Sequence, residues 1–403
     1  MGAEVFLCRR LLGPDARWLG DGAFVVERGR ITRVLTSRAA SARAARGAAR
    51  VHDLGDAWVT PGLVDAHAHL ELSFLAGVLP RGLAFGAWVR EVVARRNARS
   101  ERELEASVLA GARRLLAAGT TTVGDIDTRG SSARALARTP LRHVLFREVL
   151  DAYDPTRTPA ALATVARRLP RRARRSEGLS PHAPFTVSPK LFASIAALAR
   201  RRRSPVSVHW SETEAEVEWL RSGEGPLAAL LGPSPRRSGL ELLADAGLLG
   251  PTLSLVHGNH PASGEPRTLA RFGATLIHCP GCHAWFGREP FPWRAYRAAG
   301  VRVALGTDSL ASNDALDMRA ELARFAAAHP EVAPSRVWRM ATTDAAAAVG
   351  LAGEVGELAP GRAADFVAFE PSAGVPSFDA LVHTRPRVRS VWIAGRDVTV
   401  ART

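Results

Sequence analysis

Eight short runs of apolar and β-branched residues, each followed by a longer helical stretch, constrain this chain more than any other feature. The runs lie at 60–66, 119–125, 142–148, 178–182, 205–209, 252–257, 273–278 and 301–307. Between them lie Ala-, Arg- and Leu-rich segments such as 101–118, 159–169, 190–203 and 315–328, which read as amphipathic helices. Strands that alternate with helices build parallel sheets, because each parallel neighbour needs a crossover connection. Eight such units predict an α/β fold, a (β/α)8 TIM barrel. The 403 residues leave room for a barrel and a smaller appendage.

Both ends break the alternation. The first shows Gly20-Asp21-Gly22 before Ala23-Phe24-Val25-Val26, and the last shows Asp365-Phe366-Val367-Ala368-Phe369 and a strand pattern at 388–393. The expected organisation is a small β-sandwich domain formed from both chain ends, 1–58 and 351–403, flanking a catalytic barrel at 59–350. The Ala- and Arg-rich segment 36–50 carries no clear element signal.

The barrel reading turns scattered polar residues into a pattern. Pro61-Gly62-Leu63-Val64-Asp65-Ala66-His67-Ala68-His69 places two histidines two apart, and a strand projects such residues to the same face. His209 closes the fifth run, His257 closes the sixth, and Asp308 follows the eighth. Barrel active sites lie at the C-terminal ends of the strands. A lone histidine on an apolar strand is ordinarily a packed core residue. Four histidines and an aspartate at the ends of strands one, five, six and eight read instead as a metal site, because imidazole and carboxylate suit zinc or iron.

Composition narrows the partners. The net charge is +15, yet Lys190 is the only lysine and the basic runs at 171–175 and 200–203 have no interleaved aromatics. They read as solvated helix ends, so no nucleic-acid partner is expected. Positive charge still favours a polar or anionic small molecule. No apolar run reaches membrane-spanning length and the N-terminus does not read as a signal peptide, so a cytoplasmic protein without a membrane partner is expected. A homo-oligomer is open. Cys8, Cys279 and Cys282 are too few for a disulfide framework, and Cys279-Pro280-Gly281-Cys282 lacks a thioredoxin-like context.

His67-Ala68-His69, His209, His257 and Gly306-Thr307-Asp308-Ser309 together resemble the amidohydrolase superfamily, as does the segment from Gly356 to Phe366. The resemblance spans nearly the whole chain. It implies one divalent metal ion, Zn2+ first and Fe2+ as the alternative, held by His67, His69, His209 and Asp308. Two-metal members carry a bridging lysine or glutamate at the end of strand four. Here that end reads Ser180-Pro181-His182-Ala183-Pro184, and Lys190 lies beyond it. Glu212, three residues after His209, matches the glutamate that shuttles protons to the ring nitrogen in purine and pyrimidine deaminases; read alone, it is a helix-start carboxylate. The implied reaction is hydrolytic deamination, with Glu212, His257 and Asp308 catalytic and the metal activating water.

Three further segments, 70–73, 278–287 and 306–313, resemble aminodeoxyfutalosine deaminases, which implies an adenine-type nucleoside as substrate. Methylthioadenosine and adenosylhomocysteine deaminases are the alternative; they more often carry Ser-Asn where this chain has Cys282-His283. A chlorohydrolase is another, and a catalytically dead barrel serving assembly is the non-enzyme reading. The resemblance places His182 against the purine. Glu71 and Arg147 are expected at the ribose or the remote acid group, with a structural salt bridge as the equal alternative. Trp88 and Trp285 are expected to stack on the base or join the core, Phe286 to form apolar wall, and His278 to contact substrate or support the ligands.

Overall fold

The computed structural model describes residues 2–172, 174–229, 231–371 and 374–400. Ala173, within the basic run 171–175, and the end of the C-terminal segment at 401–403 lie outside the described residues. The barrel strands are Leu63–Ala68, Thr120–Asp127, Arg142–Val149, Glu177–Pro181, Val206–Trp210, Leu253–His257, Thr275–His278 and Arg302–Leu305. They pair in parallel, in chain order. A bridge between Ala68 and Asp308 closes the ring. There the Asp308 amide donates to the His67 carbonyl (2.9 Å) and the His69 amide to the Asp308 carbonyl (3.0 Å). The fold is the expected (β/α)8 barrel, and three of the expected metal ligands sit on its seam.

The first expected strand, 60–66, divides. Trp58–Pro61 joins the terminal sheet and Leu63–Ala68 opens the barrel. Gly62 lies between them, where an added Cβ would overlap the Thr121 side chain. Only the absence of a side chain lets the backbone pass that close. The expected helices are Glu101–Ala117, Thr158–Arg168, Pro189–Arg202 and Met318–Ala328. Glu101–Ala117 starts with a capping box between Ser100 and Glu103. It packs Val108, Ala112 and Leu115 with Val123 and Leu145 of the barrel.

The small domain expected from the two ends is one mixed sheet among the described residues. Its order is Arg396–Asp397, Val388–Ile393, Phe366–Phe369, Trp58–Pro61, Glu4–Leu12, Trp18–Glu27 and Arg30–Leu35, with Arg50–Asp53 alongside Glu4–Leu12. Phe6, Phe24, Phe366 and Trp392 fill its core with stacked and edge-on rings, so strands from opposite chain ends share one apolar cluster. The segment 36–50 holds a helix, Arg38–Arg46, whose first turn is capped by Ser37. Arg142 of the third barrel strand ties the sheet to the barrel through Asp365, at 2.7 and 3.1 Å. Among the described residues no helix is long and apolar enough to cross a membrane.

Candidate active site

The C-terminal strand ends bring His67, His69, His209 and Asp308 together. His67 is fully buried, and neither of its ring nitrogens has a hydrogen-bond partner among the described residues. His69 Nε2 lies 3.3 Å from His209 Nε2. Asp308 Oδ1 lies 3.8 Å from His67 Nε2 and 3.7 Å from His69 Nε2. His209 Nδ1 meets the His182 carbonyl at 3.0 Å, which directs Nε2 at the other ligands. Burial and the neighbouring imidazoles hold His67 well below the usual histidine range and take His69 down to about 3. Both rings are therefore neutral, with lone pairs to offer. Three imidazole nitrogens within 4.8 Å of one another, with a carboxylate beside them, fit one divalent cation. A buried histidine with both nitrogens unpartnered is costly in any other role.

The backbone at these strand ends is unusual. His257 has φ +78°, Asp308 +61° and Ser211 +52°. Left-handed conformations cost a non-glycine residue roughly 1–3 kcal/mol and persist only where the surroundings fix them. At Asp308 the two seam hydrogen bonds do so. Beside His257, the Gly258 amide donates to the Trp210 carbonyl (2.9 Å) and the Asn259 amide to that of Ser211 (2.8 Å). Asp65 braces the seam from below, accepting from the amides of His67 (3.2 Å) and Thr307 (3.0 Å). Gly306 is needed beside it, since a Cβ there would lie 2.9 Å from His67 Cβ.

Glu212 stands on the loop after the fifth barrel strand. Its Oε1 accepts from Arg288 Nη2 at 2.7 Å, and its Oε2 lies 3.5 Å from His257 Nε2. Burial pushes its carboxyl up, but His257 and Arg288 outweigh that and bring it down to about 2. A 460 Å³ cavity opens over this group, lined at its base by His69, His182, His209, Glu212, His257 and Asp308. Phe85, Trp88, Val89 and Val93 of the helix Phe85–Asn97 form one wall, and Leu227 and Leu231 also border the space. Arg90 and Arg96 line it too. Trp88 is fixed by its Nε1 donating to the Ala311 carbonyl at 2.9 Å. His182 Nδ1 lies 2.7 Å from Thr186 Oγ1. Burial takes the ring down to about 4, so it meets a ligand as a neutral imidazole.

Among the described residues, the structure does not bring Arg147, Glu71 or His278 to the cavity. Arg147 pairs with Glu177 at 2.8 and 3.0 Å and with Asp127, so the salt-bridge alternative holds. Strand alternation sends its neighbour Glu148 to the cavity instead. Glu71 is buried between Ser131 (3.3 Å) and Arg96 (3.5 Å). His278 stacks on Phe291, ring centres 3.8 Å apart, and is committed to packing. Trp285 and Phe286 pack against Leu72 and Trp88 behind the wall. Cys279 and Cys282 are buried free thiols, pushed well above the usual range by burial, which fits packing and not redox exchange. A 560 Å³ cleft beside Arg302, Arg336 and Asp344 contains none of the expected site residues.

Sequence reasoning missed Glu148, Arg96 and Arg288. Glu148 was the last residue of an expected strand, so the strand-end rule that found His257 applied to it as well. Arg96 and Arg288 carried no signal in a chain with 54 basic residues.

Residues 58–398 match the Amidohydrolase family. The chain is 32% identical over 314 residues to an aminodeoxyfutalosine deaminase of Deinococcus radiodurans, covering 72% of this chain and 73% of that protein. It is 30% identical over 397 residues to a 5-methylthioadenosine/S-adenosylhomocysteine deaminase of Syntrophobacter fumaroxidans, covering 94% and 87%. Among solved structures it is similar to an adenosine deaminase from Xanthomonas campestris with bound zinc, at TM-score 0.82 and 26% identity, covering 98% and 92%.

Proposed function

The chain belongs to the amidohydrolase family and is a hydrolytic deaminase acting on C–N bonds; from that premise we propose that it deaminates an adenine-type nucleoside in the cavity above His67, His69, His209 and Asp308. The observation that carries this reading is the placement of two carboxylates, Asp308 and Glu212, with His257 around the clustered imidazoles of His67, His69 and His209. Those imidazoles and Asp308 would hold one divalent ion, zinc foremost. When bound, such an ion supplies Lewis acidity that brings the pKa of water towards neutrality.

The chain's own residues do the rest. Asp308 and His257 take a proton from the attacking water and aim it at the ring carbon bearing the amine. A C–O bond forms at that carbon and its C–N bond breaks. Glu212, ionised at rest, relays one water proton to the adjoining ring nitrogen, which makes the carbon electrophilic; the proton taken by Asp308 and His257 passes to the amine, which departs as ammonia. His182, neutral and anchored on Thr186, faces the ring.

The finer substrate reading is 6-aminodeoxyfutalosine. Four adenine nucleosides share the reacting atoms, so discrimination falls to the far end of the cavity. Along the cavity lining, the apolar face of Phe85–Asn97 and the guanidinium of Arg96 offer a wall and a cation for a carboxylated aromatic arm. Arg96 has its Nε buried without a partner among the described residues. The second reading, methylthioadenosine, is favoured by the same apolar wall and by the greater coverage of the Syntrophobacter relative. An ammonia-release assay of aminodeoxyfutalosine beside methylthioadenosine, adenosylhomocysteine and adenosine tests this. A higher kcat/KM for the first supports the finer reading. Equal or better turnover of methylthioadenosine removes it and leaves the adenine-nucleoside reading.

A further inference from the structure

Arg288 reaches across the barrel mouth from the loop that follows the seventh strand. Its guanidinium lies over the Phe286 ring, 4.5 Å from the ring centre, and its Nη2 donates to Glu212 Oε1 at 2.7 Å. Phe286 in turn packs edge-on against the cavity-wall residue Trp88. The base of the arginine is also fixed. Its amide donates to the His283 carbonyl at 3.3 Å. His283 Nδ1 meets Asn259 Oδ1 at 3.1 Å, and Asn259 Nδ2 donates to the Glu212 carbonyl at 3.0 Å. Backbone and side chain of Glu212 are thus held by one connected set of groups, and its amide is bonded to Glu216 at 2.9 Å.

A carboxylate that exchanges a proton with a ring nitrogen has two oxygens, and free rotation about χ3 would interchange them. With Oε1 bound to a guanidinium, Oε2 remains for the ring, 3.5 Å from His257 Nε2. An arginine–carboxylate hydrogen bond is charge-assisted and directional, so it fixes orientation as well as place. We propose that Arg288 is a positioning residue for deamination, holding Oε1 of Glu212 so that Oε2 is the oxygen presented to the substrate ring. This rests on the deaminase reading given above. Arg288 itself touches no reacting atom.

Steady-state kinetics of Arg288→Ala, Glu212→Gln and the double variant, with metal content and thermal midpoint checked for each, test the assignment. Arg288→Ala lowers kcat about tenfold or more with little change in KM, since it removes orientation and not binding. Arg288→Lys recovers part of the loss, as does guanidinium added to Arg288→Ala. In the Glu212→Gln background the arginine substitution adds nothing, because the group it positions has lost its function. Wild-type kcat in Arg288→Ala, a loss confined to KM, or losses that multiply in the double variant would each overturn the assignment. If Arg288→Ala fails to fold, Arg288→Lys with and without Glu212→Gln answers the same question. A crystal structure of the arginine variant separates this inference from the activity it serves. Glu212 found unmoved overturns the positioning role whatever the turnover. Glu212 displaced, in an enzyme whose wild type releases no ammonia from any adenine nucleoside, supports the positioning role and removes the adenine-nucleoside reading instead.

Discussion

Glu212→Gln keeps the shape of the side chain and removes its capacity to take up and pass on a proton. The variant should keep its metal and lose about 10²–10⁴-fold in kcat, the usual worth of general acid–base help. Near-normal ammonia release would take Glu212 out of the mechanism. His67→Ala removes the buried imidazole whose two nitrogens lack other partners. Elemental analysis should find about one divalent ion per chain in the wild type and far less in this variant; retention of the ion would contradict the ligand set. His67, His69, His209, His257 and Asp308 were legible in the sequence because a strand-end position is itself geometric information, whereas Glu212 was legible only through the family resemblance. Arg147 and His278 sat on expected strands too, yet sequence alone does not say which face of a strand end looks inward. Their neighbours decided it: Asp127 and Glu177 claim the first, and Phe291 claims the second.

The helix Phe85–Asn97 buries only Val92 among its thirteen residues, while Phe85, Trp88, Val89 and Val93 line the cavity. Their spacing is that of an amphipathic helix. What the sequence could not reveal is that this apolar face meets a cavity and not the core. If Arg96 receives an acidic arm, Arg96→Ala should lower kcat/KM for aminodeoxyfutalosine by roughly tenfold or more, the worth of a hydrogen bond to a charged group at about 1.5–3 kcal/mol. The loss for methylthioadenosine, which lacks that acid, should be several-fold smaller. Equal losses for both substrates would assign Arg96 to support of Glu71, 3.5 Å away. The strand 60–66 was misjudged at the same scale. Its apolar run is continuous, and only the close approach of Thr121 to Gly62 shows where one sheet ends and the other begins.

Across the whole molecule, the terminal sheet and the barrel share the ion pair of Arg142 with Asp365, which also accepts from the Ala394 amide at 2.8 Å. Asp365→Ala leaves a half-buried guanidinium and a backbone amide without their partner. It should lower unfolding stability by about 1–3 kcal/mol in a denaturant titration, while the metal content of the folded protein is unchanged. The union of the two ends was legible because both carried strand patterns that neither end could bury alone. The order in which their strands interleave was not, since pairing between residues some 300 apart leaves no local trace. The central claim is that the site at the barrel seam deaminates adenine nucleosides through a bound divalent ion. Ammonia release from the four adenine nucleosides, measured on protein loaded with zinc and on the same protein after chelation, tests it most directly. The account predicts ammonia from at least one nucleoside with the loaded protein, loss of that activity on chelation, and its return with the ion. Ammonia release unaffected by chelation, or none from any adenine nucleoside by protein carrying its metal, would contradict it.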